Sequence, residues 1–225
     1  MDIETRDFLS SLGPDDIAEL NDLGTVRAFE RGQTLFHENQ LPDRVLIVRR
    51  GVIKVTSMTS AGREVVLAFR GAGEILGELA ALDGEPRSAT VRAVEPGEAL
   101  SLSAEAFRGF LEARPSVAIV LLQMQGRRLR DADAKRIEFS TYTTIERVAV
   151  RLLEFSGRFG LEDASGAVRI TLPLTQDELA GATGSSIESV GRALQTMRAL
   201  NCIETGRREI RVIDPQGLAA LLADP

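Results

Sequence analysis

The feature that most constrains this chain is a change of texture near Ala104. Upstream, short apolar runs recur at residues 34–36, 45–48, 52–55, 64–69, 90–94 and 99–102. Turn residues separate them: Arg31-Gly32, Pro42-Asp43, Arg50-Gly51, Ala61-Gly62, Gly71-Ala72-Gly73 and Pro96-Gly97. Short runs at this spacing, punctuated by Gly and Pro, read as the strands of a β-sandwich or roll. Gly62 sits where a hairpin tip belongs. A helix precedes the strands, with Pro14 near its start and Asp15 and Asp16 placed to meet the positive end of the helix dipole. Downstream of Ala104 the pattern is helical, so the expected fold class is α+β.

Residues 117–139 contain no Pro and a single Gly, Gly126, and as one helix would run ~35 Å. Ile119, Leu122, Gly126, Leu129 and Asp133 follow the 3-4-3-4 spacing of a coiled-coil seam. Two readings of this helix stand: a dimer seam, or a helix packed on its own β-domain. Ser140-Thr141-Tyr142-Thr143-Thr144 then interrupts it. Hydroxyl residues are poor helix interior and good caps, and Thr143 with Glu146 fits a capping box for a helix over residues 144–159. A hinge is therefore expected at residues 140–143. Residues 160–166 read as a loop and 168–173 as a short strand.

Thr175 with Glu178 is a second capping box, opening a helix to about Ala182. Thr183-Gly184-Ser185 is a turn, and Ser186 or Ser185 caps a further helix to about Leu200. Ala180, Gly184 and Val190 carry the pattern: a small residue where two helices cross, Gly in the tight turn, and an aliphatic on the inner face of the second helix. This is the pattern of a helix-turn-helix. Residues 203–205 and 209–213 then read as a hairpin with Gly206-Arg207-Arg208 at its tip, a basic wing whose arginines can meet DNA phosphates. Glu188 and Arg192, four apart, share one face of the second helix. Arg donates bidentately to guanine and Glu accepts from cytosine. Three plainer readings remain open: Glu188 as a capping acid for Ser185, Glu188–Arg192 as a surface ion pair, and the wing arginines as a solvated turn.

The most distinctive stretch is Ile75-Leu-Gly-Glu-Leu-Ala-Ala-Leu-Asp-Gly-Glu-Pro-Arg-Ser-Ala-Thr-Val91. Gly77-Glu78 opens a short helix whose free N–H groups favour an anion. Nine residues after Glu78, Arg87 offers a charged fork for a phosphate and Ser88 adds a hydroxyl. Glu78 can accept from a sugar hydroxyl, so the set suits a ribose phosphate better than an inorganic anion. The alternative is a Glu78–Arg87 ion pair that merely closes the loop.

Composition narrows the classes. One cysteine, Cys202, leaves no intrachain disulfide and no multi-cysteine zinc or iron–sulfur site. His37 is the single histidine, so no metal site and no haem is expected, and no general base is apparent near Arg87 for an enzyme acting on a nucleotide. Cys202 reads as a small buried hydrophobe and His37 as a surface strand residue. The net charge of −6 argues against indiscriminate nucleic-acid binding. Locally, residues 185–211 hold five Arg against three Glu, an excess of +2. No apolar run approaches the ~18 residues that span a bilayer. The acidic, polar start lacks signal-peptide character, so the expectation is a cytoplasmic protein with no membrane partner.

Taken together, these motifs resemble the cyclic AMP receptor protein / fumarate–nitrate reduction regulator family of bacterial transcription factors, over nearly the whole chain. Gly77-Glu78-Leu79 and Pro86-Arg87-Ser88-Ala89 resemble the phosphate-binding cassette of the cyclic AMP branch. The resemblance implies that Arg87 and Ser88 hold the cyclic phosphate, Glu78 the ribose 2′-hydroxyl, and Gly77 and Ala89 backbone contacts, with Leu79 beside them. The helix from Val117, including Arg127-Arg128-Leu129, resembles the dimerisation helix, and Arg128 joins the ligand set. Residues 174–203 resemble the family's helix-turn-helix, with Thr175, Ser186, Ile187, Glu188, Ser189, Arg192, Arg207 and Arg208 as DNA-facing residues.

The implied architecture is an N-terminal double-stranded β-helix (jelly-roll) sensor over residues 1–115, a dimerisation helix over 116–140, a hinge at 141–143 and a winged helix-turn-helix over 144–225. The implied effector is cyclic AMP. The implied partners are double-stranded DNA, a second copy of the chain as a homodimer, and RNA polymerase at the loop of residues 160–166. Three departures stand out. Ala132 and Asp133 occupy the positions where the cyclic AMP sensors carry two hydroxyl residues toward the adenine amine. Ile187 replaces the first arginine of the recognition helix's Arg-Glu-x-x-x-Arg pattern, so a half-site core related to TGA with altered flanks is expected. Cys202 and His37 match neither the oxygen-sensing nor the haem-binding branch. A different effector, or none, is the alternative reading, as is a nucleotide module joined to an effector other than DNA.

Overall fold

A computed structural model describes residues 7–222. The chain divides into two compact units, residues 1–131 and 132–225, and the division falls inside its longest helix.

The first unit opens with a short 3-10 turn and α1 (Pro14–Leu23), which has Pro14 at its first position. Eight strands follow: β1 (Thr25–Phe29), β2 (Thr34–Phe36), β3 (Arg44–Arg50), β4 (Ile53–Met58), β5 (Glu64–Arg70), β6 (Ile75–Leu76), β7 (Thr90–Ala93) and β8 (Gly97–Ser103). A short helix, α2 (Glu78–Asp83), lies between β6 and β7. The strands form two antiparallel four-stranded sheets, ordered β1-β8-β3-β6 and β2-β7-β4-β5. This is the expected β-roll. Gly62, at φ +72°, turns the β4–β5 hairpin.

Side-chain alternation along β3 explains the packing. Its run Val45–Val48 is buried on both faces. Val45 and Ile47 point to one core, shared with Phe8, Leu20, Ile75, Leu100, Leu102 and the helices α3 (Ala104–Ala113) and α4 (Pro115–Thr141). Leu46 and Val48 point to the other core, between the sheets, with Phe29, Phe36, Ile53, Leu76 and Val91. The sheet containing β3 is therefore a middle layer, and a strand buried on both sides reads as a continuous apolar run. Two strands of this unit escaped the sequence reading: β1, of which only Phe29 is buried, and the two-residue β6.

On α4, Val117, Leu121 and Met124 pack into the first unit's helical-side core. The expected seam lies on a different stripe and stays open: Ile119 is 57% exposed, Leu122 72% and Leu129 64%. The helix thus packs on its own β-domain and still presents an apolar row.

In the second unit, α4 ends at Thr141 and α5 (Thr144–Phe159) begins after Tyr142 and Thr143, so the interruption is narrower than the hinge expected at residues 140–143. The Thr143–Glu146 capping box forms, with both reciprocal bonds present. Val148, Ala149, Leu152 and Phe155 bury one face of α5, which packs against α6 (Gln176–Thr183), α7 (Ile187–Ala199) and α8 (Pro215–Ala220). A third four-stranded sheet completes the unit, ordered β11-β12-β10-β9. Its members are β9 (Gly160–Glu162), β10 (Val168–Ile170), β11 (Ile203–Gly206) and β12 (Glu209–Val212). The expected loop at residues 160–166 is corrected here: its first three residues are strand, because β9 pairs with β10 and only the acidic turn beyond is loop. The strand expected over residues 168–173 stops at Ile170. Cys202 is buried as expected, and burial pushes its thiol pKa up. His37 is exposed but lies just past the end of β2, not within a strand. No described helix is long and apolar enough to cross a membrane.

Candidate functional site

The cassette of the first unit is built around a guanidinium. Arg87 enters it from the segment before β7, its backbone tied by bonds from Arg87 N to Gln40 O (2.8 Å) and from Asn39 N to Arg87 O (2.8 Å). Its side chain is 3% exposed. Nη1 donates to Gly77 O (2.9 Å), and Nη2 donates to Asp43 Oδ1 (3.1 Å) and Arg44 O (2.5 Å). The fork stacks on Phe36, with Cζ 3.8 Å from the ring centroid. Nε is buried without a partner. Burial lowers the Arg87 pKa, opposed by the bond to Asp43. The charge is thus buried and bonded to Asp43, which is itself about half exposed, with the Glu78 carboxylate adding a weaker attraction.

Gly77 caps α2 in the left-handed region, at φ 80°. A Cβ there would collide with the Arg87 guanidinium and the Phe36 ring, so only Gly lets the fork lie against this turn. The first residue of α2, Glu78, is 3% exposed. Its Oε1 accepts from Gln125 Nε2 and Arg128 Nη1, each at 2.6 Å, and Arg128 Nη2 donates to Ile75 O (3.0 Å). The Glu78–Arg87 ion pair offered as a plain alternative does not form: Arg87 pairs with Asp43, and Glu78 with Arg128.

Of the expected ligand residues, Gly77, Glu78, Arg87 and Arg128 come together through these bonds. Ser88 is exposed beside Arg87, Ala89 is buried, and Leu79 is 48% exposed on α2. Ala132 and Asp133 lie just beyond Arg128 along α4, in the second unit, and both are exposed. Asp133 sits 3.8 Å from Arg136. Sequence reasoning missed Asp43, Phe36 and Gln125. Only Gln125 left a signal, three residues before Arg128 on the same helix face.

The helix-turn-helix is formed by α6 and α7. Thr175 caps α6 through the full capping box with Glu178, with Glu178 N donating to Thr175 Oγ1 at 3.1 Å and Thr175 N to Glu178 Oε2 at 2.9 Å. Gly184 takes the left-handed conformation at φ 58°, and Ser185 N closes the turn on Ala180 O at 3.0 Å. Ala180 and Val190 are buried. Ser186 caps α7, its hydroxyl accepting from Ser189 N at 3.1 Å. Ser185 instead bonds toward Thr183 O and receives Arg147 Nη2, so Glu188 is not its capping acid.

The surface ion-pair reading of Glu188 and Arg192 does form, at 2.7 Å between two exposed side chains. An exposed pair of this kind is worth little and is easily exchanged for other partners. Ile187 is 50% exposed at the start of the same helix. Arg207 and Arg208 form the exposed tip between β11 and β12, with Arg208 left-handed at φ 57°.

Comparison with known proteins agrees with both halves of this description. The model of the cyclic nucleotide-binding domain matches residues 26–114. The model of the Crp-like helix-turn-helix domain matches residues 146–221. The CRP-like cAMP-activated global transcriptional regulator of Mycobacterium tuberculosis is 32% identical over 191 residues, 85% of this chain and 85% of that protein. The cyclic AMP receptor protein of Thermus thermophilus is 30% identical over 198 residues, 88% of this chain and 86% of that protein. Among solved structures, the c-di-GMP responsive global regulator CLP of Xanthomonas campestris has a TM-score of 0.79 at 18% identity. It covers 89% of this chain and 99% of that one, a likeness of fold.

Proposed function

This chain belongs to the cyclic AMP receptor protein / fumarate–nitrate reduction regulator family of DNA-binding transcription regulators, and from that premise we propose that cyclic AMP gates its binding to DNA. The observation that carries the proposal is the cassette itself: a buried guanidinium, Arg87, held against Gly77, and a buried carboxylate, Glu78, next in the chain. A cation for a phosphate beside an acceptor for a sugar hydroxyl is the donor set of a ribose phosphate. Arg87, Ser88 and the backbone at Gly77 and Ala89 would hold the phosphate. Glu78 would take the 2′-hydroxyl, with Leu79, Arg128, Ala132 and Asp133 completing the contact.

The active form is a homodimer paired through the exposed row Ile119, Leu122 and Leu129. It places two α7 helices in successive major grooves about 34 Å apart, on a palindrome with TGA-like half-sites. Residues 1–115 act as sensor, 116–140 as dimer helix, 141–143 as hinge and 144–225 as DNA reader, and the turn after β9 faces RNA polymerase. Ligand acts by population shift, which requires that it bind the DNA-competent state more tightly than the other. The cytoplasm is where such a regulator works.

A specific feature favours a second reading, in which another small molecule or no effector serves. Glu78 already accepts from Gln125 and Arg128, and Asp133 offers a carboxylate where a hydroxyl would meet adenine.

Calorimetric titration with cyclic AMP, and cyclic GMP in parallel, decides between them. The expected result is cyclic AMP binding that Ser88→Ala weakens modestly. Arg87→Ala should weaken it about tenfold to a hundredfold, the worth of a charge-assisted hydrogen bond. No heat from either nucleotide, with DNA binding intact, would overturn the cyclic AMP proposal in favour of the second reading.

A further inference from the structure

We infer that Ile187 is a specificity residue that reads the 5-methyl group of a thymine beside the bases met by Glu188 and Arg192. This inference rests on the DNA-reading role proposed above. At 3.6 residues per turn, the buried side of α7 carries Val190, Ala193, Leu194 and Met197. The opposite arc carries Glu188, Gly191, Arg192 and Gln195, and Ile187 lies at the border between it and the buried side. Glu188 is the exposed acid and Arg192 the exposed cation of that arc, and both side chains have their heads free to leave each other for base edges.

Ile187 is the apolar residue at the edge of this arc, in the first turn of α7. It stands half exposed at the first helical position, directly after the Ser186 cap. One turn on, Gly191 has no side chain, so nothing on the helix shields the flank of Ile187 on that side. A β-branched aliphatic cannot donate to guanine or accept from cytosine. The one apolar feature that a base edge presents in the major groove is the thymine methyl. An exposed isoleucine at the tip of a reading helix therefore selects a T·A pair and buries its own surface in doing so. Rotamer stiffness at its β-branched carbon makes that contact inexpensive in entropy.

Binding-site selection from random duplexes, run with and without cyclic AMP, tests this using the full chain and the Ile187→Ala and Ile187→Arg variants. The side chain is exposed, so Ile187→Ala is expected to fold, and its melting temperature is the control. The wild type should select a thymine at one position flanking the core, Ile187→Ala should lose that preference, and Ile187→Arg should replace it with guanine. Swapping that thymine for deoxyuridine removes only the methyl. It should weaken wild-type binding about fourfold, the worth of one buried methylene-sized group, and leave Ile187→Ala unchanged. If a specific core is selected but the uracil swap has no effect, or the same effect on both proteins, the inference is wrong. If no sequence-specific duplex emerges under either condition, the DNA-reading role itself falls, and this inference with it.

Discussion

Gly77 and Gly84 bracket α2, both left-handed, at φ 80° and φ 78°. They differ in their surroundings: a Cβ on Gly77 meets Arg87 and Phe36, whereas one on Gly84 meets nothing within 4 Å. A non-glycine residue in this region costs about 1–2 kcal/mol, so Gly77→Ala and Gly84→Ala should share that loss in a thermal melt. Gly77→Ala alone should also displace the guanidinium and abolish nucleotide binding. If the two variants bind nucleotide alike, the contact between Gly77 and Arg87 does not position the fork. At this scale the sequence was readable where chemistry is local, as in Gly77-Glu78 and the two capping boxes. It was silent on Asp43 and Phe36, because each meets Arg87 only after some forty or more intervening residues have folded.

Among the elements, legibility followed punctuation and burial. β2 was read to the residue after the Arg31-Gly32 turn, and the centre of β3, residues 45–48, was read because burial on both faces made it continuously apolar. β1 left no such trace, since four of its five residues are exposed. It is a strand because β8 offers it a ladder. The break between α4 and α5 was visible in its hydroxyls, but not what holds the two helices there. Arg151, 6% exposed on α5, donates to Glu138 on the last turns of α4 at 2.6 Å and also pairs with Glu154. Removing one partner of a buried ion pair costs about 3–5 kcal/mol, and Glu154 keeps Glu138→Ala toward the lower end. Replacing Glu138 and Arg151 together by leucines should recover most of that loss, because Glu154 keeps Arg158 at 3.4 Å and no charge is then stranded. Denaturant melts of the three proteins read this directly, and a double variant weaker than Glu138→Ala would show that the pair itself, not the stranded charge, sets the stability.

At the scale of the whole molecule, α4 is where the two compact units share one element, and the row it leaves open must be accounted for. Ile119, Leu122 and Leu129 point away from the core that holds Val117, Leu121 and Met124. Leaving aliphatics of this size in water along one line of a helix gains nothing for a lone chain, whereas pairing the row with its symmetry mate buries both copies. Leu122, 72% exposed, makes a clean probe, because it supports nothing within its own unit. Leu122→Glu should leave the melting of the β-domain and nucleotide binding near wild type, while sedimentation reports a monomer. Two recognition helices on one palindrome bind with an effective concentration that a single helix lacks, so the monomer should bind the full site about a hundredfold or more weaker. Its affinity for an isolated half-site should hardly change. A variant that stays dimeric would mean that the copies associate through another surface and that the exposed row has a different occupant. A monomer that keeps full affinity for the palindrome would mean that dimerisation does not set the spacing of the two helices.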